Sequence, residues 1–145
     1  MRQRRRAREL ALMLLYQIDI LGADKESIEE LRKTFWQENP SEKTSVIDFA
    51  NLLVTDTIKN LKDVDAEITK VSLNWKLSRM AYLDRNILRM ATFEIMFMVD
   101  IPPLATINEA IEMAKKYGTN ESTKFINGIL HKIKEACKSK KKSRK

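Results

Sequence analysis

Arg4, Arg5, Arg6 and Arg8 crowd the N-terminal end of the chain, joined by Arg2, with no acidic residue before Glu9. A guanidinium directs two parallel N–H donors at a phosphate, a geometry that mere solvation does not call for. A second basic run closes the sequence, with Lys138, Lys140, Lys141, Lys142, Arg144 and Lys145. Residues 1–8 and 138–145 together hold 11 Lys and Arg and no acid, whereas residues 9–137 hold 16 basic and 20 acidic side chains. The formal net charge of +7 therefore sits at the two ends of a mildly acidic body. Such a distribution points to a polyanion as partner, nucleic acid foremost. The C-terminal lysines read equally well as a solubilising tail, because point charges on flexible stems select poorly.

Catalytic chemistry has little to stand on. The chain has one His, His131, and one Cys, Cys137, which excludes multi-histidine and multi-cysteine sites and any intrachain disulfide. The three glycines, at 22, 118 and 128, are isolated, so no phosphate-cradling loop exists. Carboxylates such as Asp84 and Glu94 share one predicted helix. Ten residues of helix separate them by about 15 Å, too far for joint hydrolytic work. We therefore expect no catalytic residues, no metal ligands and no cofactor. The longest apolar run, residues 90–99, is interrupted by Glu94 and falls well short of the roughly 20 residues that cross a bilayer. With a lone thiol and no secretory signal, the reading is a cytoplasmic protein without a membrane partner.

Positioning elements follow from periodicity. Apolar residues recur at three- and four-residue steps, and no segment alternates strictly, which predicts helices and no sheet. Helix one covers about 4–21, with Ala7, Leu10, Ala11, Leu14, Leu15, Ile18 and Leu21 inward and Gly22 as stop. A Ser27/Glu30 capping box predicts helix two over about 27–38. Asn39-Pro40-Ser41-Glu42 reads as the cap of helix three, which carries Val46, Phe49, Ala50, Leu53, Val54, Ile58 and Leu61 on one face. A short fourth helix starts near Asp63. Helix five, about 80–99, is apolar nearly all round and so central, with Glu94 in a buried polar contact. Thr106 and Glu109 predict a capping box for helix six, Gly118 its end, and Asn120 the cap of helix seven. Three Gly and three Pro suit this helical reading, and 145 residues suit one domain. The expected organisation is a domain over 1–137, with subdomains 1–62 and 63–137, and a mobile Lys-rich tail over 138–145.

Four blocks resemble the NusB family of bacterial transcription antitermination factors. They are Arg4-Arg5-Arg6-Ala7-Arg8-Glu9 leading into Leu14-Leu15-Tyr16; Leu83-Asp84-Arg85-Asn86-Ile87-Leu88-Arg89 with Phe93-Glu94-Ile95; the stretch from Ile107-Asn108-Glu109-Ala110 to Lys116-Tyr117-Gly118; and Lys124-Phe125-Ile126-Asn127-Gly128-Ile129-Leu130. They stand in family order and spacing over about residues 4–133. The middle, about 22–62, carries only the apolar periodicity, and the lysine tail is outside the pattern. The resemblance implies an all-α fold of about seven helices in two roughly perpendicular bundles. It also implies binding of single-stranded boxA RNA of nascent transcripts together with NusE, a ribosomal small-subunit protein. That assembly joins RNA polymerase and other Nus factors and suppresses termination, notably in ribosomal RNA operons.

By the same resemblance Arg4, Arg5, Arg6 and Arg8 map to RNA contacts, and Tyr16, Tyr117, Glu121, Lys124, Phe125 and Asn127 to the RNA surface. Tyr16 and Tyr117 read more readily as core packing, Phe125 equally as either, and Asn127 also as a partner for a buried backbone group. Gly128, costly inside a helix, is explained by a close helix–helix approach. The NusE surface would lie on helices four to six, with Asp84 and Arg89 as contacts or, alternatively, a local ion pair. Trp75, just before helix five, reads first as cover for the junction between the bundles, a core role, and alternatively as a partner anchor. The expected free state is a monomer or weak homodimer. The competing reading is a helical RNA-binding or adaptor protein in ribosome assembly, related to the RNA-binding domain of certain ribosomal RNA methyltransferases.

Overall fold

The computed structural model describes the backbone of residues 2–143 and the side chains of 3–138. Among the described residues there are seven α-helices and no strand. The chain divides into two compact units, Met1–Ile58 and Lys59–Lys145.

The first unit holds α1 (Arg2–Leu21), α2 (Lys25–Gln37) and α3 (Thr44–Lys59). Ala7, Leu10, Ala11, Leu14 and Leu15 of α1 are buried as their spacing requires, but Leu21 is 64% exposed and lies beyond the stripe. Gly22 ends α1 with φ +58°, a left-handed conformation that costs glycine least. Its N–H donates to Asp19 O at 3.2 Å and that of Ala23 to Ile18 O at 3.1 Å, the paired bonds of a Schellman cap. Helix α2 begins at Lys25, so Ser27 lies within its first turn and is not the cap. Asp24 takes that place, and its carboxylate accepts from Ser27 N at 2.9 Å. Proline 40 lies in a turn and α3 begins only at Thr44, so the cap expected at Asn39–Glu42 does not form. Asn39 instead donates from Nδ2 to Phe35 O at 2.8 Å, closing the end of α2. Two bonds tie α2 to α3. Trp36 Nε1 donates to Asn51 Oδ1 at 2.9 Å, and Arg32 Nη2 to Thr55 Oγ1 at 2.9 Å.

The bonds from Ser27 hold the exposed Asp24 carboxyl below its ordinary value of 3.8. A group lowered on folding stabilises above its unfolded pKa and loses that effect as pH falls through its folded one. Asp24→Ala should thus be less stable than the parent near neutral pH, and the gap should close on acidification below the ordinary Asp range. Urea melts across that range test this. A gap that does not change with pH would mean the carboxylate is not the cap.

The second unit holds α4 (Leu61–Val71), a single 3₁₀ turn (Leu77–Arg79), α5 (Tyr82–Phe97), α6 (Pro103–Tyr117) and α7 (Asn120–Ser143). Leu61, placed from its spacing on the third helix, begins α4 instead. Helix α5 is central, packed against α4, α6 and α7. Asn86, Ile87, Leu88 and every residue from Met90 to Ile95 are buried on it, so the all-round apolar pattern has its expected meaning. Glu94 is 1% exposed and accepts from Thr106 Oγ1 at 3.2 Å. That contact explains why the Thr106 capping box fails. Pro103 starts α6 a turn earlier, where its missing N–H costs nothing, and Thr106 faces inward. At α7 the cap is Thr119, whose Oγ1 accepts from Ser122 N at 3.0 Å, and not Asn120. The backbone of α7 continues as helix through Ser143. The remainder of the segment read as a Lys-rich tail, Arg144 and Lys145 and the side chains past Lys138, lies outside the described residues.

Candidate nucleic-acid interface

The basic face of the first unit is a property of α1 set against α3. Arg4 and Arg5 are exposed, Arg6 is half-buried, and Arg8 is only 6% exposed. The guanidinium carbons of Arg4 and Arg8 stand over the Phe49 ring, 4.8 and 5.7 Å from its centroid. Arg6 Nε donates to Glu42 Oε1 at 2.9 Å, and Ser45 Oγ donates to Gln3 Oε1 at 2.8 Å. The four arginines therefore differ in task. Arg4 and Arg5 present charge to solvent, Arg6 shares its charge with Glu42, and Arg8 packs beneath the face. Phe49, placed in the core from its spacing, is half-buried and holds two cations by ring–cation attraction. Tyr16 is 38% exposed. It follows Arg5 by eleven residues, about three turns, so both lie on the same side of α1 some ~16 Å apart. Met13 and Ile20, 41% and 45% exposed, flank Tyr16 at helical spacing.

In the second unit the relevant surface runs from the end of α6 along α7. Tyr117 is 38% exposed, with Lys116 Nζ 5.4 Å from its ring centroid. Glu121, Lys124, Asn127 and Gly128 are exposed, and Phe125 is half-buried. Asn127 therefore does not serve a buried backbone group. A Cβ added at Gly128 would meet nothing within 4 Å, so no close helix approach explains this glycine. It instead leaves α7 flat at an exposed point beside Asn127. Gly128→Ala should stabilise the protein by roughly 1 kcal/mol, because alanine is the better helix former and has room. A thermal melt checks this, and a loss of stability would show that the site is not open.

Phe125 meets Trp75 edge to face, centroids 5.5 Å apart at 72°. Trp75 is 59% exposed, so it is not core cover. The sequence favours the core for it, and misleads because no helical period governs a loop residue.

On α5, Arg89 is bound twice by one carboxylate. Its Nε and Nη2 donate to Asp65 Oδ1 and Oδ2, each at 2.9 Å, which joins α5 to α4. Asp84 is half-buried, and its Oδ1 has no hydrogen-bond partner. Arg85 stands over the Tyr82 ring at 4.8 Å, and Tyr82 is 44% exposed. Among the described residues no group of three or more His, Cys, Asp and Glu could hold a metal ion. None of the described helices is long and apolar enough to cross a membrane.

The NusB family model matches residues 5–135, and so takes in α1 through most of α7. The chain belongs to the NusB family. It is 44% identical over 137 residues to the transcription antitermination protein NusB of Desulfitobacterium hafniense, covering 94% of this chain and 91% of that one. Among solved structures it is similar to T. maritima NusB, at 36% identity and TM-score 0.81, over 91% of this chain and 90% of that one. It is also similar to a chain from the crystal structure of antitermination factors NusB and NusE in complex with dsRNA. That likeness has TM-score 0.84 and 29% identity over 94% of this chain and 98% of the other. The all-helical fold expected for a NusB-family member is the fold observed.

Proposed function

We propose that this NusB-family protein binds a boxA-like element of nascent RNA together with NusE and helps assemble an antitermination complex on RNA polymerase. The observation that carries the reading is the chemistry of the exposed side chains. In the first unit Arg4 and Arg5 supply phosphate contacts and Tyr16 a partly open ring; in the second, Tyr117 and Phe125 offer partly open rings on the surface that carries Lys124 and Asn127. Cations give affinity without sequence choice, and open aromatics with amides give the choice on unstacked bases. Arg6 and Glu121 contribute at the edges of these surfaces, and Arg8 acts by holding Phe49 and α1 in place. Asp84 and Arg89 are assigned to the NusE side by the family resemblance, with Arg89 held in place by both oxygens of Asp65. Family membership and the solved relative with NusE and RNA support the same partners. On this reading the protein is a cytoplasmic binding factor with no reaction of its own.

The test is a titration of labelled single-stranded boxA-like RNA, a scrambled control and a duplex of the same sequence, with and without NusE, at two salt concentrations. The expected result is tighter binding to boxA than to the scramble, enhanced by NusE. Equal binding to all three RNAs, indifferent to NusE and abolished by salt, would overturn the proposal and leave a generic polyanion arm.

A further inference from the structure

The end of α4 and the segment from it to α5 hold an aromatic–basic run that the family resemblance does not account for. Residues 70–79 contain Lys70, Trp75, Lys76 and Arg79 and no acidic residue, within a body that is otherwise net acidic. All four side chains are exposed. A ring this open is available to a partner, and the cations of the same segment suit a polyanion.

The segment is also held in shape. Ser72 is buried, and its Oγ donates to Ile68 O at 2.7 Å. The Trp75 N–H donates to Ser72 O at 3.1 Å, and that of Arg79 to Lys76 O at 2.9 Å. Arg85 Nη1 reaches back to Leu77 O at 3.2 Å. The indole itself is steadied by the edge contact with Phe125 on α7, one residue from the exposed Lys124. A largely exposed ring braced by an aromatic neighbour, on a segment that carries exposed cations, has the parts with which single-strand binding proteins stack unpaired bases.

From this we infer that Trp75 is a base-stacking platform, and that Lys70, Lys76 and Arg79 carry the RNA backbone past it. The inference rests on the RNA-binding reading above and adds to it a residue and a loop. Stacking on Trp75 places one nucleotide over the α4–α5 segment while Phe125 supports the ring from α7. Base–aromatic stacking accounts for about 1–3 kcal/mol per base, or between about fivefold and 150-fold in affinity.

The chain has two tryptophans, so a Trp36→Phe background leaves Trp75 as the sole indole emitter. Binding of single-stranded boxA-like RNA to that protein should quench its fluorescence. In the full chain, Trp75→Ala should weaken the same RNA between about fivefold and 150-fold, Trp75→Phe should restore most of the loss, and the thermal midpoint should stay unchanged. An RNA series with single abasic sites should reveal one position at which the Trp75→Ala penalty disappears. Binding without quenching, and with full affinity in Trp75→Ala, would overturn the inference and leave the RNA-binding reading intact. Weaker capture of NusE by Trp75→Ala with RNA affinity unchanged would overturn it in favour of a protein anchor. Failure of the parent chain to bind any RNA would overturn both.

Discussion

A chain with Arg4→Gln and Arg5→Gln together should bind single-stranded RNA about sixtyfold more weakly at ~50 mM salt, with the difference nearly gone at ~1 M. The magnitude follows from counterion release. Each phosphate contact on a single strand contributes about −0.7 to the slope of log affinity against log salt. Two contacts give about −1.4, and salt falls twentyfold from ~1 M to ~50 mM, so the affinity difference is roughly 10 to the power 1.8. The slope itself should flatten by the same 1.4. Arg6→Gln should do less, because Glu42 already shares that charge at 2.9 Å. Arg8→Gln should change the slope least and stability most of the four, since its guanidinium is buried over Phe49. Fluorescence anisotropy at four or five salt concentrations reads both quantities. An unchanged slope in the double variant would mean that RNA does not touch the start of α1.

The second large effect is on stability. Leu88→Ala should cost about 2–5 kcal/mol, a drop of roughly 30- to 5,000-fold in the folding constant. Leu88 is fully buried on α5, the helix packed against α4, α6 and α7, so its loss opens a cavity that none of the three can close alone. The larger figure applies if the neighbours stay put, the smaller if they collapse into the space. Urea unfolding should show a lower midpoint with an unchanged slope. A cost under about 1 kcal/mol would contradict the central place of α5.

These two effects differ in how far the sequence announces them. The apolar all-round pattern of α5 and the stripe of α1 are local, repeating every 3.6 residues, and so could be read without a structure. The same holds for the helix count and for Glu94, because a carboxylate inside an apolar run must find a donor. The family blocks were equally legible, since they are strings of neighbouring residues.

Tertiary structure alone decided which polar and aromatic side chains face solvent. Arg8 is buried because Phe49, on a different helix, stands under it. Arg6 is tied to Glu42, 36 residues away, and Arg89 to Asp65, 24 residues away. No periodicity encodes such pairings, since they depend on which element lies opposite. Helix caps were misplaced for a related reason. Asp24, Thr119 and Pro103 compete with nearby Ser27, Asn120 and Thr106, and the winner depends on the path by which the preceding chain arrives. Gly128 and Trp75 show the same division. The sequence identified a glycine inside a helix and a tryptophan outside one, and only the structure showed open space around the first and exposure of the second beside Phe125. Backbone propensity acts within a turn of helix, whereas exposure is set by residues far apart in the chain, and a binding surface is made of exposure.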